Sequence, residues 1–437
     1  MEQQFKCPSS ANPTPIENLV RLTLEKHNIQ ACQNTIFFTP SEIQNKSANL
    51  PNRKAPGPDG ITNSALKHCG NNKVTIQLTH IYNGCIRNSY FPKSWKNAIM
   101  IMIPKPGKNV KLPVNHRPIS LLNTMAKVFE SLLLDKLKIH TKTRPEQFGF
   151  RSNHGTTSQL VKVISDITNN YNRREKTVVA LFDIEKAFDK VWHDGHIYKL
   201  IKSKIPYQLT NIIKSFLSNR TFQIRIGDKM STPRKINAAS KTALFADDTL
   251  VYAFSRTNFY TAKYLQQQID LMLTWFDDWK VTINSQKTTV IMFSRRSTQD
   301  TPRVSIQNHN INWAHSIKYL GIHIDKGLIF ARQTRNATQK AKTAAHLLYP
   351  VINSKSPINL NARLEIYKTY IRPILAYAAP AWTTNLSNTS WKSLERVQSS
   401  ILRTITGSEW YVSNQKPSEI LLIFQRYKIL SKKHLKN

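Results

Sequence analysis

Apolar positions recur at helical spacing in some stretches of this chain and in strand-like runs in others. Ile16 to His27 reads as one helix inside a polar N-terminal extension, residues 1–53. Helical periodicity returns from Asn63 to Asn88, and again from Leu121 to Ile139, where Leu122, Met125, Val128, Phe129, Leu132, Leu133 and Leu137 recur. Gln266 to Trp279 is a further amphipathic helix. Strands are expected at Ala98 to Pro104 (buried), Thr177 to Ile184 (an almost continuous apolar run), Thr288 to Phe293 and Lys318 to Ile324. Thr242 to Ala246 and Leu250 to Phe254 flank Asp247-Asp248-Thr249, which reads as a hairpin with its aspartates at the tip. Lys54 to Gly60 holds too much Pro and Gly for regular structure and is expected to be a loop, as is Pro104 to Lys108. Strands mixed with helices, without strict alternation, predict an α+β fold: an antiparallel sheet covered by helices on one face.

Beyond Lys326 the pattern becomes helical. Leu364, Tyr367, Ile371 and Leu375 are spaced for one helix, and Trp391, Leu394, Val397, Ile401 and Ile405 for another. From Lys326 onward there are 18 Lys or Arg but only four acids, Glu365, Glu395, Glu409 and Glu419. A basic helical bundle of this kind suits the grip on a duplex.

Charge sharpens that picture. The 437 residues carry 63 Lys plus Arg against 26 Asp plus Glu, a formal charge of +37. Self-repulsion of this size is offset by a polyanion partner, and nucleic acid fits better than a membrane surface because the charge is spread along the chain. Hydrophobic residues make up 40%, enough for folded domains. The four cysteines, Cys7, Cys32, Cys69 and Cys85, have no zinc-knuckle spacing and fit a reduced intracellular compartment, nucleus or cytoplasm. No signal peptide is visible, and no apolar stretch is long enough to span a bilayer, so no membrane partner is expected.

Candidate chemistry lies in two acidic segments, Phe182-Asp183-Ile184-Glu185-Lys186-Ala187-Phe188-Asp189 and Phe245-Ala246-Asp247-Asp248. Each places aspartates directly after a strand-like run. Carboxylates at the ends of neighbouring strands can converge and hold two magnesium ions, which clamp the attacking and leaving oxygens of a phosphoryl transfer. That combination points to a nucleotidyl-transferring polymerase. Taken alone, Asp247-Asp248 reads better as a pair of turn residues; Asp183 and the other segments favour the metal reading.

With their flanks, these segments join an ordered series: Lys54 to Gly60; Ile103 to Lys108; Arg117 to Leu122; Gln147-Phe148-Gly149-Phe150-Arg151; Phe182 to Trp192; Phe245 to Asp248; and Tyr319-Leu320-Gly321. From about Lys54 to the C-terminus the chain resembles the reverse transcriptases of non-LTR (LINE-type) retrotransposons, most closely the jockey group. The resemblance implies a right-hand polymerase, with fingers and palm over residues 54–325 and a basic helical, thumb-like region over 326–437. It implies an RNA-directed DNA polymerase using an RNA template, a DNA primer and deoxynucleoside triphosphates.

Residue roles follow from the same resemblance. Asp183, Asp247 and Asp248 match the carboxylates that hold two magnesium (or manganese) ions, and Lys287 matches a lysine that protonates departing pyrophosphate as general acid. Lys105, Lys108 and Arg117 match finger cations that meet the triphosphate, though each also reads as an ordinary surface charge. Phe148, Gly149 and Arg151 match a template-contacting segment. Phe188 matches a steric gate against a 2′-hydroxyl, or is a plain core aromatic. One departure stands out: the Pro-Gln-Gly-Ser loop and helix that the family places between its acidic motifs are absent, and Asp183 and Asp247 are only 64 positions apart. The family's apurinic-type endonuclease is not recognisable either. The expectation is a polymerase impaired by an internal deletion, with a catalytically inactive nucleic-acid-binding remnant as the alternative.

Overall fold

The chain alternates between two units in the computed structural model, which describes residues 13–29, 36–68, 72–107, 109–112, 115–141, 143–184, 191–235, 248–294, 302–306, 309–409 and 411. One unit takes in the described residues within Met1–Arg144, Lys186–Thr242 and Phe276–Val281; the other, those within Pro145–Glu185, Ala243–Trp275 and Thr282–Asn437. Helices and sheets are mixed in both, as an α+β class requires.

In the first unit α1 (Pro15–Ile29), α2 (Pro40–Ala48), α3 (Asn63–His68) and α4 (Asn72–Arg87) lead to β1 (Asn97–Pro104), β2 (His116–Leu121) and α5 (Thr124–His140). The chain then forms α6 (Thr156–Asn172) and β3 (Lys176–Asp183) of the second unit. It returns to the first through α7 (His193–Lys202), α8 (Tyr207–Leu217), β4 (Thr221–Ile226), β5 (Lys229–Met230) and β6 (Arg234–Lys235). The sheet order is β2-β1-β4-β5, with β6 also on β4. β1 and β2 pair antiparallel, but β1 and β4 pair parallel, Asn97 opposite Thr221. The expected all-antiparallel sheet fails here because the long connection between them, through β2, α5, α6, β3, α7 and α8, lets β4 run the same way as β1. β1 was expected to be buried throughout. Instead Ala98 and Met100 are buried while Ile103 is exposed, since one face of this sheet is open.

A cluster of rings forms the core of this unit. Tyr82 stacks on Phe129 at 5.1 Å, Trp95 meets Tyr82 edge-on at 5.8 Å, and the Tyr82 hydroxyl donates to Met125 O at 3.0 Å. α5 begins at Thr124, not Leu121, because Leu121 pairs with Ile99 in the sheet. The Lys54–Gly60 segment has no regular structure, as its Pro and Gly content predicts.

The second unit continues with β7 (Asp248–Ser255), α9 (Asn258–Asp278, assigned to the first unit from Phe276 onward), β8 (Thr289–Phe293), β9 (Val304–Ile306), β10 (His309–Ile311), β11 (Ser316–Tyr319) and β12 (Ile322–Asp325). It ends with α10 (Ala331–Ile352), α11 (Leu360–Ile366), α12 (Arg372–Ala376), α13 (Ala379–Trp382) and α14 (Asn388–Thr406). β3 is the middle strand of the antiparallel sheet β7-β3-β8, with Val178, Val179, Ala180 and Phe182 buried. The expected single strand Lys318 to Ile324 is a hairpin: Leu320 and Gly321 turn the chain with φ of 43° and 87°. The helix expected at Leu364 to Leu375 contains a π-helical turn at Tyr367–Ile371, just before Pro373, which has no N–H to continue the regular pattern. Leu364, Tyr367, Ile371, Leu375, Trp391, Leu394, Val397, Ile401 and Ile405 share one core with Val179, Ile291 and Phe293. Among the described residues no helix is long and apolar enough to cross a membrane.

Candidate active site

Asp183 is the last residue of β3, and the β3–β7 ladder sets it directly opposite Asp248, the first residue of β7. Opposed residues in such a ladder have Cα atoms about 5 Å apart. Asp248 and Thr249 were expected in a turn. They are strand residues, because the pairing continues through Phe182–Thr249 to the end of β3. The ladder therefore juxtaposes the two acidic segments, which are far apart in sequence. Asp247, Phe188 and Lys108 lie outside the described residues.

The turn before β8 completes this end of the sheet. Ile184 bridges to Ile283, and Asn284 N donates to Asp183 O at 2.8 Å. The Asn284 side chain accepts from Lys287 N at 3.2 Å, a side-chain-closed turn that curls the segment back. As a result Lys287 Nζ lies 3.3 Å from Asp183 Oδ2. The pair is open to solvent, with side-chain exposures of 69% and 37%, so Asp183 is accessible to a ligand. Asn284 had no assigned role in the sequence; its signal was a turn-forming Asn at the head of the polar run Asn284-Ser285-Gln286-Lys287. Deeper in the sheet, the Tyr252 hydroxyl donates to Asp166 Oδ2 at 2.7 Å and ties β7 to α6. Burial and the Asp166 carboxylate push the Tyr252 phenol up to about 12.

The remaining candidates fall into two groups. Lys105 and Arg117 belong to the first unit: Lys105 N donates to Asn115 O at 2.8 Å, and Arg117 pairs with Ile103, so both positions lie at one end of the β1–β2 hairpin. Phe148, Gly149 and Arg151 lie in the second unit, in the loop before α6. There Lys162 Nζ sits 5.4 Å above the Phe148 ring, His154 meets that ring edge-on at 5.0 Å, and Arg151 Nη1 donates to Gln147 O at 3.4 Å. Gly149 is buried, and its carbonyl accepts from Gln147 Nε2 at 3.1 Å. Two residues of this loop are left-handed, Phe150 and Asn153, both at φ 62°, and Phe150 is exposed to solvent.

The donor chemistry suits a hard divalent cation, which takes carboxylate oxygens. The buried Thr249 hydroxyl, next to Asp248 in β7, has no hydrogen-bond partner among the described residues. Those residues contain no group of three His, Cys, Asp or Glu that could hold a metal by itself.

An antiparallel sheet presenting opposed acidic positions at its end, with a lysine on one of them, defines a candidate phosphoryl-transfer site. The reverse transcriptase (RNA-dependent DNA polymerase) family matches residues 103–324, just over half of the chain. The chain belongs to this family. It is 32% identical over 410 residues to the "RNA-directed DNA polymerase from mobile element jockey" of Drosophila melanogaster, covering 86% of this chain and 44% of that protein. Against the "Probable RNA-directed DNA polymerase from transposon X-element" of the same organism it is 31% identical, over 86% of this chain and 45% of that protein. The jockey polymerase of Drosophila funebris is 29% identical over the same share of the chain, 86%, and 44% of its own length. The chain thus spans less than half the length of these relatives.

Proposed function

We propose that the chain is the polymerase region of a non-LTR retrotransposon, acting on an RNA template, a DNA primer and deoxynucleoside triphosphates inside the cell, in nucleus or cytoplasm. The observation that carries this reading is the register that sets Asp183 opposite Asp248, with Lys287 Nζ 3.3 Å from the Asp183 carboxylate. In this reading residues 54–325 are fingers and palm of a right-hand polymerase, 326–437 a thumb-like grip and 1–53 an extension. Asp183, Asp247 and Asp248 would hold two magnesium or manganese ions, which when bound neutralise the transferring phosphoryl group and acidify the primer 3′-hydroxyl.

The other roles belong to the chain's own side chains. Lys287 carries a proton toward the departing pyrophosphate. Lys105, Lys108 and Arg117 neutralise the triphosphate, Arg117 with the option of bidentate contact. Phe188 crowds a 2′-hydroxyl. Phe148, Gly149 and Arg151 line the template path.

The same reading includes impairment. The missing Pro-Gln-Gly-Ser loop and helix would support the template base, and catalysis that rests on positioning is sensitive to displacements of about 1 Å. The test is primer extension on a primed RNA template. It compares the chain as it stands with a version carrying that loop and helix from a relative after Ala238, and with Asp183→Asn in the repaired version. Extension by the repaired chain that needs divalent metal and Asp183 supports the function. No extension by it, with template binding retained, leaves the binding remnant. Equal extension by repaired and unrepaired chains refutes the impairment.

A further inference from the structure

The other end of the β3–β7 ladder carries a feature that polymerase chemistry does not use. β7 ends at Ser255, which pairs with Lys176, seven residues back along β3 from Asp183. At the usual rise this is about 23 Å from the acidic end. α9 starts there, and its first turns leave three rings in solvent: Phe259 is 60% exposed, Tyr260 49% and Tyr264 47%. They form a chain of contacts. Phe259 meets Tyr260 edge-on at 5.5 Å, and Tyr260 lies 6.2 Å from Tyr264 with the rings inclined by 31°. The inward face of the same helix is already satisfied by buried Ala262, Leu265 and Ile269, so the rings are surplus to the core.

The setting of these rings is cationic. Arg256 and Lys263 are exposed beside them, and no acidic residue occurs from Thr249 to Ile269. The first turn of α9 itself has no acid either. The helix is also held in place. Lys176 Nζ donates to Asn258 Oδ1 at 2.6 Å, and Gln266 makes two bonds to the Ser305 backbone, at 2.9 and 3.0 Å. Exposed rings on a fixed helix, in a segment that carries cations and no acids, match what single-stranded nucleic acid asks of a surface: flat faces for bases and positive charge for phosphates. An apolar protein partner would have no use for the cations or for the absence of acids.

We propose that the start of α9 is a stacking platform for single-stranded nucleic acid, formed by Phe259, Tyr260 and Tyr264 with Arg256 and Lys263. The proposal goes beyond the polymerase reading, because a chain incapable of extension would still carry the platform.

The test uses the full chain and fluorescent 20-mers of uridine and of thymidine, with a blunt RNA–DNA hybrid as comparison. The variants are the triple change Phe259→Ala, Tyr260→Ala and Tyr264→Ala, the conservative Tyr260→Phe with Tyr264→Phe, and Lys263→Gln. The triple change is expected to weaken single-strand binding at least tenfold for the RNA probe, the DNA probe or both, which identifies the source, and hybrid binding less than threefold. The conservative variant should keep the affinity, since it keeps the ring faces. Lys263→Gln should lower the salt slope of single-strand binding by about 0.7. Unchanged single-strand affinity in the triple variant overturns the proposal. So does an equal loss on the hybrid, or a change in sedimentation showing that the rings hold two copies of the chain together.

Discussion

Replacing Gly57 by alanine is expected to destabilise the first unit by about 3 kcal/mol, the upper part of the range for forcing atoms into packed space. A Cβ at Gly57 would lie 2.5 Å from Asn123 N and Leu122 C, and 2.6 Å from Leu122 O. All three are backbone atoms, so no side chain can swing aside. The backbone itself is pinned on both sides. Thr124 Oγ1 donates to Ile61 O at 2.7 Å, and Asn123 Nδ2 donates to Ser94 O at 3.2 Å. Moving the loop by the required distance strains these bonds, each worth roughly 0.5–1.5 kcal/mol net. Gly60 in the same loop is the control: its φ is +69°, but nothing lies within 4 Å of an added Cβ, so Gly60→Ala meets only the left-handed strain of about 1 kcal/mol. Urea unfolding followed by tryptophan fluorescence reads both, Trp95 being buried in this unit. A melting point lower by roughly 6–12 °C for Gly57→Ala is the thermal equivalent. If Gly57→Ala costs no more than Gly60→Ala, the loop does not press on the start of α5 as described.

Three further outcomes are expected. Lys287→Ala in the repaired chain should leave stability within about 0.5 kcal/mol, because its pair with Asp183 is solvent-open, yet slow single-turnover extension roughly 100-fold. Rescue by Lys287→Arg would show that charge, not proton donation, is its role. Magnesium or manganese should raise the melting temperature of the chain, and Asp183→Ala should abolish the rise; an equal rise in the variant would place the ion elsewhere. Lys199 gives a pH signature: burial lowers its ammonium to about 8, even though its Nζ lies 3.7 Å from the Trp279 ring, whose face favours the cation. Between about pH 8 and the ordinary lysine value of 10.5 the unfolded chain holds the proton that the folded chain has lost, so stability should rise with pH across that window. Lys199→Met should flatten the rise, and a parallel profile in the two proteins would refute the assignment.

What the sequence revealed about the fold depended on where each pattern comes from. β3 was legible because a strand buried on both faces has to be apolar at nearly every position, from Thr177 to Phe182. β2 was not read as a strand, since it is an exposed edge whose residues Arg117, Pro118 and Ser120 carry no strand pattern. α10 was missed for a related reason: Gln333, Thr334 and Thr338 occupy buried positions beside the small Ala337 and Ala341, so the apolar stripe is faint. The Leu320–Gly321 turn looked like strand interior because apolar residues flank it closely on both sides, and Gly321 was the one local sign of a break. At the candidate site the residue types were legible, and their meeting was not. No local rule pairs Asp183 with Asp248, or folds Asn284 to Lys287 back onto Asp183; both come from long-range sheet pairing.

That pairing also separates two properties that the proposed internal deletion would affect differently. The register of β3 against β7 and β8 is fixed by its buried residues: a slip by one position would exchange the side chains of its two packed faces and put Phe182 where its smaller neighbours Val179 and Leu181 fit, which makes the slip expensive. The acidic positions are therefore held by hydrophobic packing, and the Lys287 turn is held by its own hydrogen bonds to Asp183 and within Asn284 to Thr288. None of these supports needs a Pro-Gln-Gly-Ser loop. The ladder that sets Asp183 opposite Asp248 is formed in the chain as it stands, with twelve residues, 236 to 247, between β6 and β7. The consequence is a dissociation: metal-linked stabilisation through Asp183 should persist in the chain as it stands, while primer extension should require the repair.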